Sequence, residues 1–77
     1  MSKLDLETFV RLLSEARVPF LFPQISEDGR RAMFVTDALS SRDLDALSKH
    51  FVILEIEASK LLPGHLIVTV IRRADDG

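Results

Sequence analysis

Histidines, paired carboxylates and paired arginines are the residues of this chain whose types could do chemistry. His50 and His65 are the natural general-base or metal-ligand candidates. His50 falls where a helix should end, and His65 follows Pro63-Gly64 at a turn. A cationic or hydrogen-bonded His50 would complement the carboxyl end of its helix. A zinc site needs several ligands at fixed spacing, and the sequence has no HxxxH, no HxH and no cysteine. Glu55 and Glu57 alternate along one strand, whereas acid/base or glycosidase chemistry needs carboxylates facing each other across a cleft. They read as a polar border. Serines and acids are plentiful, but no nucleophile elbow or Gly-rich anion loop accompanies them. The expectation is therefore no enzyme, no cofactor and no metal.

Arg30-Arg31 and Arg72-Arg73 form a different constellation. Arginines near a sheet surface can hold phosphates or carboxylates in bidentate fashion, which supports an alternative reading as a weak nucleic-acid or anionic-ligand binder through Arg30, Arg31, Arg72 and Arg73. The simpler reading makes them solubilising strand ends, paired with Glu27, Asp28, Glu55 or Asp75. Composition favours the simpler one. Basic residues number 10 and acidic ones 12, mixed along the chain, and the net charge of −2 gives no field for a general nucleic-acid binder. A nucleic-acid sheet platform also needs exposed aromatics for stacking, and the chain has no Tyr or Trp.

Seventy-seven residues, spanning 1–77, make a single small domain. A domain of this size buries only about 60% of the surface its unfolded chain exposes, so its stability is marginal. The lack of cysteine removes disulfide staples and suits a reducing compartment. Oligomerisation is the remaining common support. Met1 to Glu7 carries acids where a signal peptide would have a basic and then an apolar segment, and no stretch approaches the ~20 apolar residues of a spanning helix. A soluble, cytoplasmic protein is expected.

Six elements emerge from the periodicities. Leu6 to Arg17 reads as a helix with Leu6, Phe9, Val10, Leu13 and Ala16 on one face, Asp5 as N-cap, and Leu4 and Phe9 at staple spacing. Val18 to Ile25 reads as an edge strand, because Pro19 and Pro23 remove N–H groups from one side. A polar turn, Glu27 to Arg30 with Asp-Gly at its centre, leads to a strand over Arg31 to Thr36. Ser40 caps a second helix over Ser41 to Lys49, with Asp43 completing a capping box and Leu39 and Leu44 repeating the staple. Phe51 to Ala58 and Leu66 to Arg72 read as strands, and Ser59 to Gly64 as a short turn of helix between them.

The order αββαββ implies a two-layer α+β sandwich, a four-stranded mainly antiparallel sheet with two helices on one face. The strand order 1-2-4-3 is favoured, and 1-2-3-4 with a parallel central pair is the alternative. The halves align loosely at a period of 34 or 35 residues, suggesting an internal duplication. Read in strict alternation, Phe20, Phe22, Ala32, Phe34, Val52, Leu54, Ile56, Leu66, Val68 and Val70 face the helices. Leu21, Met33, Val35, Ile53, Ile67 and Ile71 fall on the face that no helix covers. A contiguous exposed apolar patch marks an interaction surface. The expected function is a non-enzymatic protein-binding module, a homodimer or a small adaptor or inhibitor of a larger complex. Its apolar centre is that second set, and Glu55, Glu57, Thr69, His65 and Arg73 form the polar rim.

Overall fold

The computed structural model describes residues 4–73. Six elements follow in the expected order: α1 (Leu6–Glu15), β1 (Leu21–Ile25), β2 (Arg31–Thr36), α2 (Ser41–Ser48), β3 (Phe51–Ala58) and β4 (Leu66–Arg72). The strands make one antiparallel sheet in the order β1-β2-β4-β3. Two hairpins thus meet at the β2–β4 pair, and α2 carries the chain from β2 across β4 to the far edge.

Local chemistry sets the helix ends. The Thr8 N–H donates to Asp5 Oδ1 at 2.7 Å, satisfying one orphan donor at the start of α1. At α2 the capping box closes both ways: the Asp43 N–H donates to Ser40 Oγ at 3.2 Å and the Ser40 N–H to Asp43 Oδ2 at 3.1 Å. α1 ends two residues before the expected Arg17. Arg17 adopts φ 58°, its N–H donates to the Ser14 carbonyl, and the Val18 N–H donates to the Leu13 carbonyl. These two bonds are the Schellman pattern, with arginine in the left-handed position that glycine usually takes and with buried Val18 and Leu13 as the accompanying apolar contact. The chain is therefore turned before Pro19, and β1 starts only at Leu21.

The β1–β2 turn is pinned by its own side chains. Gly29 has φ 71°, a conformation open to glycine at little steric cost. Ser26 Oγ donates to Asp28 Oδ1 at 2.6 Å, the Arg30 N–H donates to the same oxygen, and the Leu4 N–H donates to the Gly29 carbonyl. That last bond ties the entry of α1 to the hairpin. Between β3 and β4 the chain forms a bent loop instead of the expected turn of helix. Ser59 Oγ accepts from the Leu62 N–H, the His65 N–H donates to the Leu62 carbonyl, and Gly64 turns the chain with φ 84°.

The core lies between the helices and one sheet face. Phe9 of α1 packs on Phe34 of β2 (ring centroids 6.1 Å apart) and edge-on against Phe51 of β3 (5.6 Å, 86°). Val68 and Val70 of β4 are wholly buried in the same cluster, with Leu4, Leu12, Leu13, Val18, Ala32 and Leu47 around them. Phe9 is thus in contact with two strands that do not pair with each other. Replacing Phe9 by Ala should lower the unfolding free energy by about 3–5 kcal/mol, read as a fall in the denaturation midpoint followed by circular dichroism.

The carboxyls of Asp5 and Asp28 are both held below the ordinary range. For Asp5 the main cause is the bond from the Thr8 backbone, and for Asp28 the Ser26 hydroxyl, followed by the Arg30 backbone. A depressed folded-state value contributes stability that is present above the unfolded pKa and is lost as pH falls through the folded one. Thermal stability should therefore decline from roughly pH 4 downward, and Asp28→Asn should flatten that acid limb in a series of melting curves.

Candidate interaction surface

The sheet face opposite the helices is built from three rows of paired residues. Arg31, Ile71 and Val52 form the first row, running from β2 through β4 to β3. Met33, Thr69 and Glu55 form the second, and Val35, Ile67 and Glu57 the third. β1 extends the last two, with Gln24 opposite Met33 and Leu21 opposite Val35. Of the residues expected at this surface, Leu21, Met33, Val35, Glu55, Ile67, Thr69 and Ile71 are therefore brought together on one face. No helix covers it.

Ile53 is the correction among the apolar set. It pairs with wholly buried Val70 and packs against the core, and its neighbour Val52, opposite Ile71, faces outward with 42% of its surface exposed. The cause is a bulge between Ile53 and Glu55, which inserts an extra residue and reverses the alternation along β3. Before the bulge the core side holds Phe51 and Ile53; after it, Ile56, opposite Val68. Leu54, the extra residue of the bulge, and Ile56 beyond it, both expected in the core, are 46% and 42% exposed.

A second bulge, between Leu21 and Gln24, moves Phe22 in the same way. Phe22 has φ 50° and is 61% exposed, where the alternation had placed it in the core. It lines a concavity of about 430 Å³ together with Met33, Val35 and Ile67 of the open face and Leu61 and Leu62 of the loop between β3 and β4. The loop between β3 and β4 thus borders the open face, with Leu61 92% exposed. Sequence reasoning missed Val52, Phe22 and Leu61. Only the long side chains in a Pro-Gly loop could have drawn attention to Leu61.

The polar candidates separate. Glu55 and Glu57 are exposed on the open face, along its β3 border. Arg73, expected on the rim, instead donates from its guanidinium to the Ser48 carbonyl at 3.1 Å and from its backbone to the His50 carbonyl, so it braces the carboxyl end of α2. His65 belongs to the loop, its Nδ1 3.3 Å from the Pro63 carbonyl oxygen. His50 lies edge-on to Phe51 at the end of α2, beside a polar cleft lined by Glu15, Arg17, Arg42, Asp45 and Lys49.

The arginines gather at one end of the sheet, since Arg31 pairs with Ile71 next to Arg72, but they divide between its two faces. Arg31 begins the open face, and Arg72, opposite buried Phe51, has the alternation of the helix-covered side, where its charge acts on Asp5. Arg30 lies in the turn beside Asp28, and Asp75 is outside the described residues. Among the described residues no group of three or more His, Asp or Glu could hold a metal ion, and no helix is long and apolar enough to cross a membrane. Comparison with protein families, characterised proteins and known structures finds no match to this chain.

The two neighbours on β3 give a direct check of the register. Ile53→Glu brings a carboxylate against the core and should cost about 3 kcal/mol, whereas Val52→Glu should leave the unfolding midpoint of the dilute protein within about 0.5 kcal/mol of wild type. Equal damage from both would show that the bulge is not where the pairing puts it.

Proposed function

We propose that this chain is a non-enzymatic protein-binding module that acts through the open sheet face. It either associates with itself or occupies a surface of a larger protein assembly as an adaptor or inhibitor. The observation that carries this reading is the contiguous apolar surface of Leu21, Met33, Val35, Val52, Ile67 and Ile71, with Phe22 and Leu61 rising beside it. Such a patch on a small domain is an unfavourable exposure to water that a protein partner would remove. Glu55, Glu57 and Arg31 at its margins supply the polar border that orients a partner.

The sheet edges support a face-directed partner over strand addition. β1 carries Pro23 and a bulge, and β3 carries a bulge and two acids; each of these features blunts an edge. A cytoplasmic setting accords with a small cysteine-free domain that uses association where other small domains use disulfides.

The test compares wild type with Met33→Glu and Val52→Glu, both at exposed positions. Wild type should associate, with itself in light scattering or with a discrete protein retained on the immobilised chain, and both variants should lose that association while keeping the wild-type dichroism spectrum. A wild type that stays monomeric and retains nothing the variants do not also retain would overturn the reading.

A further inference from the structure

The open face carries charges of both signs at opposite corners, an arrangement that one two-fold axis makes self-complementary. The rows and columns of the face form a grid, with strands about 4.8 Å apart and residues about 3.3 Å apart along each strand. Its acids occupy the β3 ends of the second and third rows, at Glu55 and Glu57. Its base, Arg31, occupies the β2 end of the first row. From Arg31 to Glu55 is thus two strands across and two residues along, roughly 10 Å by 7 Å. Apolar residues and Thr69 fill the space between.

We propose that the partner is a second copy of this chain, packed open face to open face with the strands of the two copies crossing steeply. The proposal rests on the interaction-module reading and goes further by naming the occupant. A two-fold axis in the plane of such an interface can run along the strands, across them or diagonally. Along the strands it lays β3 over the partner's β1, which sets Glu57 on Leu21 and Glu55 on Gln24. Across the strands, through the middle row, it stacks Glu55 on Glu55. The first arrangement desolvates a carboxylate against an aliphatic side chain and the second opposes like charges; both are unfavourable.

The diagonal axis, passing between Met33 and Thr69, exchanges Arg31 with Glu55. Each Arg31 then meets the acidic border of the other copy, the interface has two such ion pairs by symmetry, and the apolar rows cross between them. The strands cross at about 70°, nearer the orthogonal class of sheet packing than the aligned one at about 30°. Size is compatible as well. The molecule measures 36 × 27 × 19 Å along its principal axes, so a face spanning the two longer ones would be on the scale of the roughly 800 Å² that each partner contributes to a standard interface.

Charge exchange tests both occupant and geometry. Light scattering and sedimentation from about 1 μM to about 1 mM should show a wild-type dimer. Arg31→Glu alone, and the double variant Glu55→Lys/Glu57→Lys alone, should each weaken it by about tenfold or more, with unchanged dichroism spectra because all three positions are exposed. An equimolar mixture of the two variant proteins should recover a heterodimer of near wild-type affinity, because every cross-interface pair is again of opposite sign. A wild type that is monomeric throughout overturns the second copy as partner, while the module reading stands or falls on the Met33 and Val52 variants. A wild-type dimer whose charge variants do not recover on mixing overturns the diagonal geometry.

Discussion

The structure depends on Phe9. Its ring meets Phe34 on β2 and Phe51 on β3, two strands separated by β4, so one helical side chain helps hold both hairpins in a single sheet. The Leu4 N–H bond to the Gly29 carbonyl and the Schellman turn at Arg17 fix the two ends of α1, and with them the height of that ring above the sheet. Buried Val68 and Val70 lie in the same cluster, on the strand between the two hairpins' contacts. Because the helices lie on the same side as Phe9, the other face has no layer of its own.

Much of this was legible in the sequence because local chemistry decides it. Asp5 and Ser40 announce helix starts by side-chain oxygens placed to accept orphan N–H groups, and both do so. β2, β3 and β4 occupy the expected residues, since each is bounded by residues that favour turns or helix ends. The αββαββ order and the edge position of β1 follow from the same signals. The antiparallel 1-2-4-3 order was the favoured arrangement, and its alternative with a parallel central pair is not adopted.

What was not legible is the phase of a strand that is apolar on both sides. Val52, Ile53, Leu54 and Ile56 satisfy either alternation, and a bulge then removes the assumption that one alternation holds throughout β3. The pairing of Val52 with Ile71 resolves it, and that pairing is a long-range fact. Phe22 was misplaced for a related reason: a non-glycine residue at φ 50° carries no local sequence mark, yet it turns the ring from the core to the lining of the concavity. Arg73, expected on the rim, follows the last residue of β4, and its guanidinium donates to the Ser48 carbonyl at the end of α2.

In a domain of this size stability and the proposed association would be linked. The helices bury one sheet face, and the small core they form leaves little margin against the entropy of ordering the chain. Under the proposed association, covering the second face would stabilise the folded state by mass action, because a partner that recognises paired rows of side chains has nothing equivalent to bind on the unfolded chain. The two bulges act on the sheet edges. By interrupting β1 and β3 they weaken edge-to-edge strand pairing, which would be open-ended, and leave the face, where an isologous contact closes on itself. The irregularities that make the outer strands hard to read from alternation are thus also the features that blunt the sheet edges against open-ended strand addition.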